Sequence, residues 1–444
     1  MPPLETTMDP MPILKTTTSV CSTCLTKVPA EVVTDGDDVL LRKECPEHGI
    51  QEALIASDQR FYWTAGSGGA CGDGCGGLLN HSCSLVFEIT ERCNLSCPTC
   101  FAGSSPHLSW QMSVDDFTGK LDRLLAQGKH DSDMIQFSGG EPTIHSDIEE
   151  MVEICFARGV RKVYINTNGI RLAKEPEFAQ RLAAIDAGRD RLQFYLQFDG
   201  LDERTHEEIR GARGLFALKE AAIANATDAG LFVLPVMAVT RGINLDKIGE
   251  VVRFVLRHHP RMNTLMLQPA FYAGRYDTRR EGRRLTMPEL AHEVERQTDG
   301  LFAAADFSPI PCSHPNCFAL AVGLMQDDRV VPISRYFPRF ERWEDPDVAP
   351  LLSRMADKMP QHMLESMAGD ESLDALLDLL SQDEDRANWA DYRNFFMIGI
   401  KPFMDAETYD QDRVDRCCVH VVDREGVPVS LCEYNTLRRP RGLL

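Results

Sequence analysis

The stretch EITERCNLSCPTCFAG, residues 88–103, sets Cys93, Cys97 and Cys100 inside eight residues, directly after an apolar run of strand composition. Thiolates ligate zinc and iron–sulfur clusters. This C-x3-C-x2-C spacing suits either a zinc knuckle completed by a distant residue or three irons of a four-iron cubane. No fourth cysteine follows at matching spacing. A cubane held at three corners leaves one iron open to an outside molecule, by the logic that separates open catalytic zinc sites from closed structural ones.

Two further cysteine groups flank this one. CSTC, with Cys21 and Cys24, is followed after twenty residues by CPEH, with Cys45 and His48. That C-x2-C…C-x2-H arrangement has the spacing of a zinc ribbon or a rubredoxin-like iron site, closed by four ligands and able to fold a segment too small to hold itself. Cys71, Cys75 or Cys83 is an alternative to His48, and an all-sulfur set favours iron over zinc; the same three could bind an extra cluster or be free thiols. Toward the carboxyl terminus, Cys312 and Cys317 in PCSHPNCFA and Cys417, Cys418 and Cys432 in RCCVHVVDREGVPVSLCEYN can converge on an auxiliary 4Fe–4S cluster with one thiol left over. Adjacent Cys417 and Cys418 cannot readily ligate one cluster together. Cys155, on the apolar side of a helical pattern, is expected in the core.

Composition sets the outer bounds. A chain of 444 residues, 43% hydrophobic, can build one large domain with smaller attachments or two to three domains. The amino terminus lacks the basic segment and apolar core of a secretory signal, and the longest apolar run, LFVLPVMAV, is too short to span a bilayer. A cytoplasmic protein is therefore expected, which argues for metal over disulfides at the fifteen cysteines. A formal charge of −20 argues against general attraction to nucleic acid or anionic membrane. Arg279, Arg280, Arg283 and Arg284, and Arg438, Arg439 and Arg441, are local exceptions that read as solvated surface or a phosphate seat.

The elements that must position these residues fall in three regions: 1–83, a cysteine-rich metal-binding module ending in the linker TAGSGGACGDGCGGLL; 84–300, alternating strand-like and helix-like segments; and 301–444, with the last five cysteines. In the middle region SLVFEIT, MIQFS, VYINTN, LQFYLQFD, LFVLPVMAVT and TLMLQP have strand composition, and five helical patterns lie between them, several opening on Ser or Asp and closing on Gly. This alternation predicts an α/β fold with a parallel sheet, open or a complete or partial barrel, and a ligand at the carboxyl ends of its strands.

At Cys93, Cys97 and Cys100 the sequence resembles the radical S-adenosylmethionine enzymes, whose motif is C-x3-C-x2-C after the first strand of a partial (β/α)6 barrel. The resemblance spans residues 84–270. SGGEP after the second strand supplies Gly139, Gly140 and Glu141, where the family meets the methionyl amine of the cofactor. NTNG supplies Asn166 and Asn168, QFDG supplies Asp199, and TRGIN supplies Asn244 on the adenine side. The resemblance implies a 4Fe–4S cluster, S-adenosylmethionine, an electron donor of ferredoxin or flavodoxin type, and a 5′-deoxyadenosyl radical that takes hydrogen from an unactivated carbon. The residue types agree independently. Glycines permit close approach, a carboxylate suits an ammonium, and short amides suit ribose hydroxyls.

Taken over the whole chain, the cysteine groups resemble a subgroup of that family containing archaeal pterin-modifying methyltransferase-like enzymes and tetraether lipid synthases. Two substrates follow as expectations: a small heterocycle to be methylated, or a lipid chain in which carbons are joined, the latter implying transient membrane-surface contact. LMLQPAFYAGRY and YRNFFMIGIKPFMDAETYD read either as the lining of an apolar tunnel or as plain core. The alternative of another class is a non-catalytic iron–sulfur or zinc scaffold or redox sensor.

Overall fold

The computed structural model describes residues 11–62, 82–127, 130–276, 282–309, 313–326, 329–336 and 392–442. Cys71, Cys75, Cys312, Arg279 and Arg280 lie outside them.

Four antiparallel strands open the chain: β1 (Ile13–Val20), β2 (Lys27–Asp35), β3 (Asp38–Cys45) and β4 (Gly49–Ala56), in that spatial order. Alternation along β2 and β3 buries Ala30, Val32, Val39 and Leu41 with Ala56 and Tyr62. Such a core is small for an independent unit. The turns β1–β2 and β3–β4 carry the two cysteine knuckles.

The six expected strands are all present: β5 (Ser82–Thr90), β6 (His130–Gly139), β7 (Lys162–Thr167), β8 (Leu192–Gln197), β9 (Phe232–Val239) and β10 (Thr264–Pro269). They pair in parallel and in chain order. Helices α1 (Val114–Ala126), α2 (Ile148–Ala157), α3 (Ile170–Lys174), α4 (Pro176–Asp186), α5 (Glu203–Arg210), α6 (Leu215–Asp228) and α7 (Ile248–Arg257) lie between them, followed by α8 (Met287–Gln297). Side-chain caps start α1 and α5: Ser113 Oγ accepts from Asp116 N, and Asp202 Oδ1 from Thr205 N. Period-two alternation turns Leu85, Phe87, Ile135, Phe137, Val163, Ile165 and Phe194 toward the helices, where they are fully buried with Phe117, Leu121, Met151 and Cys155. Each such side chain contributes about 1.5–3 kcal/mol. Phe117 meets Phe87 edge to face at 5.0 Å, and Phe117→Ala should cost about 3–5 kcal/mol.

The carboxyl-terminal third joins this sheet at both edges. Strands β11 (Ser308–Pro309), β12 (Ala319–Gln326), β13 (Arg329–Pro332), β14 (Phe395–Ile400), β15 (Val419–Val422) and β16 (Pro428–Ser430) complete it. β14 pairs in parallel with β10, and β15 in parallel with β5. The chain therefore passes from one edge of the partial barrel to the other between residues 401 and 418. Among the described residues no helix is long and apolar enough to cross a membrane.

Candidate functional site

The loop carrying Cys93, Cys97 and Cys100 leaves the carboxyl end of β5. Arg92, Asn94, Ser96 and Pro98 face outward, while the three cysteines turn into an apolar nest with Leu95, Leu215, Ile170, Ala212 and Leu218. Its backbone is tied from across the barrel mouth by Arg275, just after β10. Arg275 N donates to Cys100 O (3.0 Å), and its guanidinium donates to the carbonyls of Cys97 (3.1 Å), Gly103 (2.7 Å) and Ser104 (2.7 Å). Burial, then the charge of Glu141, pushes the Cys93 thiol up to about 12, and burial raises Cys97 as well. These thiols ionise when a cation arrives to hold the charge.

Gly139 and Gly140 are required by the chain itself. A Cβ at Gly139 would stand 2.2 Å from Thr90 O, and one at Gly140 would stand 2.0 Å from Arg92 O. The two backbones are stitched by Gly140 N to Thr90 O (2.6 Å) and Glu141 N to Arg92 O (2.9 Å). The glycines thus seat the end of β6 against the cysteine loop, and their first partner is the protein's own backbone.

Glu141 is fully buried beside that seam. Its Oε1 accepts from Thr143 N (3.2 Å), Thr143 Oγ1 (2.6 Å) and Thr167 Oγ1 (2.7 Å), and its Oε2 from Asn168 N (2.7 Å). Burial raises its pKa, and these donors oppose the rise. Only Oε2 keeps room for another donor. Asn168 reaches the cysteine loop through Nδ2 to Asn94 Oδ1 (2.6 Å), while Asn166 projects into the barrel and accepts from Gln136 Nε2 (2.6 Å).

Asp199 and Asn244, both expected at the cofactor, make hydrogen bonds within the protein. Asp199 has no exposed surface, holds Arg210 bidentately (2.6 and 2.7 Å) and accepts from Ala238 N (3.1 Å). Although burial works the other way, Arg210 keeps this carboxyl below its ordinary range. Asn244 donates to Asp199 O (2.9 Å) and Ala238 O (3.0 Å) and accepts from Thr240 N (2.7 Å). It pins the ends of β8 and β9.

Sequence reasoning missed Arg210, Arg275 and Lys219. Lys219 is fully buried, donates from Nζ to Asn168 O (2.5 Å), and is pushed down to about 8 by burial and by Arg210. Its signal was available: Leu215, Lys219, Ala222, Ile223 and Ala226 form the buried stripe of α6, with one lysine where the pattern demands an apolar residue. Behind the cysteine loop there is thus a closed charge network of Glu141, Asp199, Arg210 and Lys219.

The inner face of the partial barrel is polar toward its mouth. Gln136, Ser138, Tyr164, Asn166, Tyr195, Gln197 and Gln268 alternate with the buried outward residues and are half-buried. Tyr164 and Tyr195 meet edge to face at 6.3 Å, and burial pushes the Tyr164 hydroxyl up to about 12. Gln197 Oε1 is buried with no hydrogen-bond partner among the described residues.

At the other end of the chain Cys21, Cys24, Cys45 and His48 bring their donor atoms within 4.8 Å of one another. His48 Nδ1 lies 3.6 Å from Cys21 Sγ and 3.4 Å from Cys45 Sγ, so three thiols and an imidazole surround one point, as tetrahedral zinc requires. Against burial, the backbone N–H groups of Cys24 and Thr23 bring the Cys21 thiol down to about 6. Among the described residues, no other group of three or more donors is this compact. In the carboxyl-terminal layer Arg413 Nε donates to Cys317 Sγ (3.4 Å) and Met404 N to Cys432 Sγ (3.4 Å). Burial, then the neighbouring Cys418 and Cys432, pushes Cys417 up to about 12. Cys418 meets the barrel through its carbonyl, which accepts from Cys83 N (2.9 Å).

Residues 87–255 match the model of the radical SAM superfamily, and residues 13–57 that of the HMPTM N-terminal zinc ribbon domain. The chain thus carries a radical SAM domain in its α/β partial barrel, with a zinc ribbon ahead of it, and such a domain works with a 4Fe–4S cluster and S-adenosylmethionine. It is 28% identical to the 7,8-dihydro-6-hydroxymethylpterin dimethyltransferase of Methanocaldococcus jannaschii, over 96% of this chain and 94% of that one. It is also 28% identical to the mycofactocin maturase MftC of Mycolicibacterium smegmatis, over 42% of this chain and 45% of that one. Streptococcus suis SuiB bound to S-adenosylmethionine aligns with a TM-score of 0.40 at 18% identity, covering 50% of this chain and 48% of that one.

Proposed function

We propose that the protein functionalises a carbon of a small, planar, polar heterocycle of the pterin class, transferring a methyl group to it. The observation that carries this is the barrel's inner face, where Gln136, Asn166, Gln197 and Gln268 with two tyrosines offer amide and hydroxyl groups to a ligand. A ligand with lactam and amine edges pairs with such a wall, whereas an alkyl chain would strand it. The full-length similarity to the archaeal pterin dimethyltransferase supports the same class. The segments considered for a lipid tunnel contribute Leu265, Leu267, Phe396, Ile398 and Ile400 to the main core, which favours their reading as packing.

In this reading Cys93, Cys97 and Cys100 hold the cluster, which when bound supplies the electron for reductive cleavage of S-adenosylmethionine. Glu141 Oε2 receives the cofactor's ammonium, Asn168 and the Gly139–Gly140 seam fix the loop around it, and Asn166 and Gln197 face the space between cofactor and substrate. Asp199, Arg210 and Asn244 act as positioning residues for the strand ends. Arg275 holds the cysteine loop closed and keeps water from the reacting atoms. Cys312, Cys317, Cys432 and one of the adjacent pair Cys417 and Cys418 carry the auxiliary cluster, and a low-potential protein donor feeds the two clusters.

The test is anaerobic reconstitution with iron and sulfide, followed by S-adenosylmethionine, reductant and 7,8-dihydro-6-hydroxymethylpterin. The expected products are 5′-deoxyadenosine and methionine from one S-adenosylmethionine, S-adenosylhomocysteine from a second that gives up its methyl group, and a pterin heavier by that group, with the reductant supplying the electrons. Cofactor cleavage with the pterin unchanged, and with an archaeal lipid consumed instead, would replace the heterocycle by the lipid.

A further inference from the structure

We infer that the zinc ribbon is an internal clamp, whose metal sets the position of the carboxyl-terminal cysteine layer. The ribbon's first strand reaches two of the three cysteine-bearing segments of that layer directly and the third through Asp412. Lys15 Nζ pairs with Asp410 Oδ2 (2.8 Å) and Asp412 Oδ2 (3.0 Å), and Thr17 Oγ1 donates to Asp410 Oδ1 (2.6 Å). Asp410 in turn caps the short helix α9 (Gln411–Asp415) by accepting from Asp412 N (3.1 Å). That helix delivers Arg413 to the sulfur of Cys317 and runs directly into Cys417. Asp412 also takes His314 Nε2 at 3.2 Å, which ties the Cys317 segment to the same point. The third segment is held by apolar contact: Val20, the residue before the ligand Cys21, is buried in one cluster with Met404, Tyr409, Val414, Cys432 and Leu437.

A second strand adds a buried cation. Lys43, two residues before the ligand Cys45, is only 2% exposed and donates from Nζ to Ala406 O (2.5 Å), Glu407 O (3.0 Å) and Ser19 Oγ (3.4 Å). An ammonium costs several kcal/mol to bury unless its donors are met, and two of its three acceptors come from the layer it clamps. In return, Arg441 from the carboxyl-terminal turn donates to Leu25 O (2.8 Å), inside the first knuckle. The metal donors and the clamp residues are thus sequence neighbours on the same strands. The ribbon's own core is too small to hold those strands without the metal, so losing the metal releases the layer as well. This assignment stands whichever substrate the barrel takes.

Hydrogen–deuterium exchange on the full-length chain tests it. Cys24→Ser, with zinc loss confirmed by elemental analysis, should speed exchange over residues 404–416 by about tenfold or more, together with 13–57, while Lys162–Thr167 keeps wild-type protection. The double variant Lys15→Met, Lys43→Met leaves all four ligands in place. It should retain zinc and ribbon protection yet show the same loosening of 404–416. Wild-type exchange over 404–416 in either variant would overturn the clamp, because the layer would then hold itself.

Discussion

Two sulfur sites in this molecule are built from similar cysteine spacings and opposite physics. In the ribbon, four donors stand within 4.8 Å of one another, and, against burial, backbone N–H groups bring the Cys21 thiol down to about 6, so the fold gathers all four ligands around one point. At the barrel mouth, Cys93 is pushed up to about 12 by burial and Glu141, and the proposed function leaves a fourth position to a ligand from outside. A closed site commits all its donors to folding; an open one leaves a coordination position for an outside group. The difference lies in the surroundings: amides reach the sulfur in both, Thr23 N at Cys21 and Leu95 N at Cys93 (each 3.4 Å), but only Cys93 has the charge of Glu141 beside it.

Cys97→Ala breaks this comparison most completely. It should take 5′-deoxyadenosine formation to background and leave zinc at the wild-type stoichiometry, both read on one anaerobic preparation. If zinc departs too, the two sites are one cooperative unit. Gly140→Ala attacks the seam instead of the ligands. Its Cβ would press on Arg92 O and Glu91 O, so the cysteine loop must move, at about 1–3 kcal/mol. Iron content should fall while ribbon zinc is kept; normal iron loading would mean that the loop tolerates the shift. Glu141→Gln should act more gently. All four contacts to this carboxylate come from donors, so an amide nitrogen placed at either oxygen faces an N–H or O–H. The cost is about 1–3 kcal/mol in denaturant unfolding, with weaker S-adenosylmethionine binding by calorimetry. An unchanged midpoint would show that the network repacks.

Much of this was legible in the sequence because it is local. Six strand runs and five helical stripes survive as elements because hydrophobic period is set within a few residues, and the two ribbon knuckles are readable because ligand spacing is. What escaped was non-local. Asp199 reads as a turn acceptor until α5 returns Arg210 to it, and Gly139 and Gly140 read as making room for a ligand until the Thr90–Arg92 backbone occupies that room. FFMIGI is an apolar run whose partner, β10, lies more than a hundred residues away, so its place at the sheet edge could not be inferred from its own pattern. Lys219 was readable and was passed over, being a single charge on an apolar stripe.

Lys219 also provides the smallest and sharpest contrast with the ribbon. Burial first, then Arg210, lowers its pKa from 10.5 to about 8, with Asp199 and Glu141 opposing the fall. Between those values the unfolded chain holds the proton and the folded chain does not, so folding stability rises with pH across the window, and the penalty is fully present below about 8. Lys219→Met removes the titration. The stability difference, wild type minus variant, should therefore climb by at most about 1.4 kcal/mol per pH unit between pH 8 and 10, read from denaturant midpoints of the metal-free protein. Lys43 in the ribbon is likewise lowered to about 8 by burial, and Lys43→Met should produce a similar climb in the iron-free protein that keeps its zinc. Iron reconstitution then separates the two. Thiolates at Cys97 and its neighbours place negative charge beside Lys219 and hold its proton to higher pH, so its slope flattens while that of Lys43 does not. Parallel behaviour of the two lysines after reconstitution would mean that the barrel cation does not sense the cysteine loop at all.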